Sequence, residues 1–166
     1  MARIAACLVF LLWIGGCASY SGRTLVPGQS TAQDVMEVMG RPALERAAPG
    51  GGRVLWYPRL PFGRESYAAT LDAQGRLVSV EQRLDAKFVA KLRPNETTAE
   101  QVLDLLGPPY DVYQFPRQQR ETWEYQLRTP PSHKNLYVQF SPDRVLREVY
   151  QLHDFQAQEN FFFAVP

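Results

Sequence analysis

Two cysteines, two histidines and a pair of glutamates around a tryptophan are the side chains on which reactive chemistry could rest. Cys17 follows Ile14-Gly15-Gly16; a thiolate is the strongest nucleophile among the side chains and can carry a stable covalent adduct. His153-Asp154 could contribute to a metal site, but no second His or Cys pattern lies near it, and a metal centre needs three or four converging ligands. Glu121 and Glu124 straddle Trp123. Residues three apart on a strand point to opposite faces, so these glutamates are expected on a solvated strand surface and not as an acid pair. The chain contains no Gly-x-Ser-x-Gly elbow, no His-Glu-x-x-His and no glycine-rich phosphate loop. The sequence therefore offers no catalytic residues, no cofactor site and no metal site, and predicts a protein that is not an enzyme. Its one reactive position is Cys17.

The residues before Cys17 decide what that thiol is for. Arg3 is followed by an unbroken apolar run over residues 4–14, too short to span a bilayer, which takes about 20 apolar residues, and so suited to a cleavable export signal over residues 1–16. Ile14-Gly15-Gly16-Cys17 resembles the bacterial lipobox, which implies cleavage before Cys17, a diacylglyceryl thioether on its sulfur and an acylated, palmitate-type α-amine. Each buried methylene contributes about 0.8 kcal/mol and one chain binds only marginally, so two or three chains make a nearly permanent anchor. Ala18, where an Asp would retain such a lipoprotein in the inner membrane, implies the outer membrane, facing the periplasm. The alternative, an ordinary secretory signal cut elsewhere, leaves Cys17 incidental.

Lys plus Arg number 18 against 17 Asp plus Glu, a net charge of +1, so the chain lacks the basic face that nucleic-acid binding needs. Cys7 leaves with the signal, and no disulfide can form within a mature chain whose one cysteine carries lipid.

An internal repeat organises the rest. The run from Pro27 to Pro42 aligns without a gap on Pro94 to Pro109, an offset of 67 residues, and at that offset Trp56 falls on Trp123. Each copy opens on a capping box, Ser30 with Gln33 and Thr97 with Glu100. Ala32, Val35, Met36 and Met39, and likewise Ala99, Val102, Leu103 and Leu106, recur at helical spacing. Gly40 and Gly107 can end the helices. A shorter helix capped by Asp85 is expected before the second. The period then changes to two, predicting strands at 53–58, 65–72 and 77–84, then at 121–127, 135–141 and 145–152, with a further short strand at 111–115. The expected fold is α+β: two tandem α(α)βββ repeats, antiparallel sheet with helices packed on one face. Trp56 and Trp123 are expected between sheet and helix. The expected division is signal 1–16, lipidated tether 17–26, repeat one 27–85, repeat two 86–155 and an aromatic tail 156–166.

Helix, Gly-x-Pro, Trp-bearing strand and hairpin resemble the SmpA/OmlA (BamE-like) small outer-membrane lipoprotein family. The matching residues are Leu25, Gly28, Ser30-Thr31, Val35, Met39-Gly40, Pro42, Trp56-Tyr57 and Gly75 to Val78, then Leu92, Thr97-Thr98, Val102, Leu106-Gly107, Pro109, Trp123, Tyr125 and Phe140. The resemblance implies a non-catalytic protein-binding and assembly module whose partners are envelope or outer-membrane assembly proteins. The doubling resembles the tandem layout of β-lactamase inhibitor proteins. That layout leaves a second reading open, binding or inhibition of a periplasmic enzyme, which needs surface aromatics on one sheet face.

Partner-binding candidates are the tip at 59–64, with Arg59, Phe62 and Arg64, and the segment 110–117, with Tyr113, Phe115 and Arg117; Arg and aromatic residues are enriched where proteins meet. The tail ends Phe161-Phe162-Phe163-Ala164-Val165-Pro166, three successive aromatics expected to fold back onto the domain. Neither nucleic acid nor a small-molecule substrate is indicated.

Overall fold

The computed structural model describes residues 21–61, 63–129 and 133–154. The signal, Cys17, Phe62 and the Phe161 to Phe163 tail lie outside the described residues.

Each repeat begins by closing a turn. Gly28 N–H donates to the Leu77 carbonyl and Asn95 N–H to the Leu146 carbonyl, both at 2.7 Å, with φ of 79° at Gly28 and 65° at Asn95, a conformation that Gly and Asn adopt at the least strain. Helix α1 (Ala32–Met39) and helix α3 (Ala99–Leu106) follow. Their N-caps are Thr31, paired with Asp34, and Thr98, paired with Gln101, one residue later than Ser30 and Thr97. The earlier hydroxyls are already committed, since Ser30 Oγ accepts from Val26 N–H at 3.0 Å and Thr97 Oγ1 from Arg93 N–H at 2.9 Å. With those hydroxyls turned back to the preceding turn, the next ones along, Thr31 and Thr98, cap the helices. Asp85 caps the short α2 (Ala86–Val89), accepting from Lys87 N–H.

Strands β1 (Leu44–Ala47), β2 (Arg53–Pro58), β3 (Ser66–Leu71) and β4 (Leu77–Gln82) form one antiparallel sheet in that order. A second sheet runs β5 (Asp111–Phe115), β6 (Arg120–Leu127), β7 (Lys134–Phe140) and β8 (Leu146–His153). The architecture is thus α+β with two repeat-like units. Strand β1 escaped the sequence pattern because Leu-Glu-Arg-Ala is built of good helix formers; pairing with β2 imposes its extension.

Val35 and Met39 of α1 pack on Leu55, Tyr57, Ala69, Leu71 and Leu77 of the first sheet. Ala99, Val102 and Leu106 of α3, with Phe88 and Leu92, pack on Trp123, Tyr125, Leu136, Val138 and Phe140 of the second. The first sheet is buried on its other face as well. There Trp56 is 1% exposed, its six-membered ring so close to Gly107 at the end of α3 that a Cβ there would meet it at 2.4 Å. Arg46 of β1 bonds Glu100 at 3.0 Å and also Asp104, both on α3. Arg64 reaches Asn135 at 3.3 Å and the Asp154 carboxylate, and Arg128 reaches Glu65 at 3.2 Å. The layers therefore run α1, first sheet, α3, second sheet.

One expectation fails by a single residue. Trp56 pairs with Ala68, which pairs with Glu81; the corresponding row of the second sheet is Glu124, Tyr137 and Tyr150. Trp123 instead matches Leu55, since these pair with Val138 and Ala69. Both tryptophans lie between a sheet and a helix as expected; what fails is their equivalence, since Trp123 faces the helices of its own repeat whereas Trp56 lies on the opposite face of its sheet, against the end of α3 in the other repeat. Adjacent strand residues point to opposite faces, so a one-residue slip moves a side chain through the sheet.

Candidate functional site

The second sheet has one face on the core and one on solvent. With Trp123, Tyr125, Leu136 and Val138 inward, the pleat turns Tyr113, Phe115, Thr122, Glu124, Tyr137, Tyr150 and Leu152 outward. Tyr113, Phe115, Tyr150 and Leu152 are 38%, 43%, 39% and 54% exposed, and no described element covers them. Most strands of this length bear solvated polar side chains on their outer face; here the row is aromatic.

Three contacts give the face its shape. Tyr137 and Tyr150, directly opposed on β7 and β8, stack with centroids 5.3 Å apart and planes at 21°, a cross-strand aromatic pair that stiffens both rings. Tyr113 Oη donates to Glu124 Oε2 at 2.7 Å. Gln139 Nε2 donates to Thr122 Oγ1 at 3.4 Å.

Glu124 is only 5% exposed, contrary to the expected solvated position. It lies opposite Tyr137 and under Tyr113, whose rings take the water from it. The hydrogen bond onto this carboxylate, and then burial, hold the Tyr113 hydroxyl far above the ordinary tyrosine range, because ionising it would place two negative charges together. Tyr137 is raised as well, chiefly by burial. Both phenols therefore stay neutral donors at any physiological pH. The other glutamate, Glu121, faces the opposite way and accepts from Trp123 Nε1 at 2.6 Å.

Such a surface is suited to contact with another protein. Its rings offer apolar area with few rotatable bonds, and its hydroxyls offer directional hydrogen bonds, the combination found at the centres of protein interfaces. Among the described residues no three His, Cys, Asp or Glu side chains converge.

The sequence-selected residues divide. Tyr113 and Phe115 lie on the open face; Arg117 sits beside it in the exposed turn Pro116–Gln118. Arg59 and Arg64 do not. Arg59 pairs with Glu65 at 3.1 Å, and Arg64, its side chain 14% exposed, ties the loop after β2 to Asn135 and Asp154 of the second repeat. The Asp154 carboxylate considered for a metal is thus engaged by a guanidinium. Glu124, Tyr137, Tyr150 and Leu152 were missed. The signal for them was the alternation itself: once Leu136 and Val138 face inward, Tyr137 must face outward, and Tyr150 with it.

No curated protein matches the chain. A solved structure, the DUF4309 family protein YjgB from Bacillus subtilis subsp. subtilis str. 168, aligns with 20% identity over 78% of this chain and 82% of its own, at a TM-score of 0.30. Residues 82–150, a stretch that includes Tyr113, Phe115, Tyr137 and Tyr150 of the open face, match the family model described as the outer membrane protein assembly factor BamE domain.

Proposed function

We propose that this protein is a lipid-anchored, non-catalytic docking module of the cell envelope, which binds an outer-membrane assembly protein through the open face of the second sheet. The observation that carries the reading is the coincidence of two independent features: the exposed tyrosine row and the BamE-domain match fall on the same residues. Acyl chains on Cys17 would hold the domain at the periplasmic surface of the outer membrane, and confinement raises its effective concentration for partners in that membrane. The first repeat, residues 27–85, then acts as a brace whose α1 and first sheet stiffen the binding half from behind.

A photo-crosslinking residue placed at Tyr150 of the full-length chain, in intact cells, tests the docking face. The expected result is a specific crosslink to an outer-membrane assembly protein, with none from a crosslinker at exposed Glu37 on α1. Crosslinks from position 37 alone would overturn it. Palmitate labelling and fractionation of Cys17→Ala tests the anchor: the variant should lose label and leave the membrane fraction.

The aromatic face also meets the requirement of the second reading, binding of a periplasmic enzyme. A soluble hydrolase crosslinked at position 150 in place of an assembly protein would select it.

A further inference from the structure

We infer that Glu124 is the anchor point of the open face and that the partner seats an arginine side chain on it, the guanidinium lying on the Tyr137 ring and donating to the carboxylate. The inference rests on the docking reading and names the chemistry of its partner.

This carboxylate is buried without a counter-charge. Glu124 is 5% exposed, and a charge removed from water is costly unless it is paired. Its Oε2 accepts from Tyr113 Oη at 2.7 Å, and among the described residues no cation forms an ion pair with it. A carboxylate has room for several more donors. Directly opposite on β5 stands Asp111, and like charges opposed across two strands destabilise a sheet. Glu148, exposed on the same face of β8 and paired with Gln139, is a third carboxylate with no ion-pair partner among the described residues. Arg120 shares the face but stands four residues from Glu124 along β6, about 13 Å away. The centre of the face is therefore aromatic and negative, in a chain whose net charge is +1.

The chain itself shows what completes such a pair. Arg83 lies 4.5 Å over the Phe88 ring and bonds Glu81 at 3.0 Å. Arg144 lies 5.6 Å over Trp123 and bonds Glu121 at 3.3 Å. Each set is a ring, a carboxylate and a guanidinium. Tyr137 and Glu124, directly opposed on β7 and β6, supply the ring and the carboxylate of a third set, and its guanidinium is left to the partner. Arginine suits the seat better than lysine, because its planar head lies flat on a ring while its N–H fork meets a carboxylate, and it is less strongly hydrated than an ammonium. The stack on Tyr150, with centroids 5.3 Å apart, fixes the Tyr137 ring beforehand, so little ordering remains to be done on binding. Asp111 and Glu148 at the edges steer a cation inward.

The full-length protein in mild detergent, as wild type and as Glu124→Gln, is titrated with acetyl-Gly-Arg-Gly-amide and with its lysine and citrulline analogues, and the rings of carbon-labelled tyrosine are followed by NMR. Glutamine keeps the shape and an acceptor for Tyr113 while removing the charge. The arginine peptide should move the Tyr137 and Tyr150 signals, leave buried Tyr57 of the first sheet unmoved, and bind about fivefold tighter than either analogue. Glu124→Gln should erase that preference. Absence of binding, equal affinity for arginine and citrulline, or an arginine preference that survives Glu124→Gln overturns the inference. Should Glu124→Gln fail to melt cooperatively, the exposed pair Asp111→Asn with Glu148→Gln serves instead, with a loss of about two- to threefold expected and an unchanged affinity counting against the seat. Arginine-selective binding without any assembly-protein crosslink at position 150 would keep the seat and remove the docking reading. That crosslink, undiminished in Glu124→Gln, would keep the docking reading and remove the seat.

Discussion

The outer face of the first sheet and the outer face of the second hold the same place in their repeats and have opposite fates. Row by row, Arg46 stands where the second repeat has Tyr113, Trp56 where it has Glu124, Ala68 where it has Tyr137, and Glu81 where it has Tyr150. The first face has one large ring beside a small neighbour, so a helix end can approach until Gly107 lies against Trp56. The second has Tyr137 in place of that small residue and Tyr150 in place of Glu81, and projects both outward. What differs is the size and polarity of four side chains, not the sheet. Two sheets of like topology thus carry unlike outer faces, one an internal joint and the other open.

The largest test of that contrast is truncation of one large ring on each face. Trp56→Ala should cost about 3–5 kcal/mol, the usual range for removing a fully buried tryptophan, whereas Tyr137→Ala should cost under about 1.5 kcal/mol. Urea denaturation of both variants decides it, and equal losses would mean that the second face is as buried as the first.

Glycine substitution sharpens the joint. Gly40 and Gly107 end equivalent helices with φ of 85° and 80°, so alanine at either strains the backbone by about 1–2 kcal/mol. Only at Gly107 does the added Cβ meet a wall, the Trp56 ring. Gly107→Ala should therefore lower the melting temperature roughly twice as far as Gly40→Ala; equal shifts would place the two repeats apart.

The polar seam of the joint should matter less. Arg46 is paired with Glu100 and Asp104 at partly exposed positions, so a double-mutant cycle of Arg46→Ala with Asp104→Ala should give a coupling under about 1 kcal/mol, weaker at high salt.

The smallest effect is spectroscopic. In the folded protein Tyr57 is pushed up to about 12 by burial, then by Glu45, and Tyr113 is held higher still by Glu124; unfolded tyrosines ionise near about 10. The folded state favours the neutral phenol, so this contribution to stability is whole below pH about 10 and is lost as pH rises through the folded values. Absorbance at 295 nm should show late-titrating tyrosines, and Glu124→Gln should bring one of them, Tyr113, back towards the rest.

Much of this was legible beforehand. The repeat, both main helices, α2 and most of the strands followed from spacing, because cap residues and apolar periodicity act over a few neighbouring positions. Tyr113 and Phe115, singled out in the sequence, lie on the open face. The Trp56–Trp123 alignment misled because identity outweighed parity. Trp56-Tyr57 are adjacent, whereas Trp123 and Tyr125 are two apart, and only the latter pair can share a face. Arg59 and Arg64 looked like free surface cations because nothing local to them names Glu65, Asn135 or Asp154 as partners.

By itself the chain determined its elements and the pattern of their inner faces, since those depend on local hydrogen bonds and on which residues avoid water. Which outer face would be covered was decided only when the repeats packed. That outcome depends on Gly107 meeting Trp56 across 51 positions and Arg46 meeting Asp104 across 58, contacts between segments with no local signal to announce them.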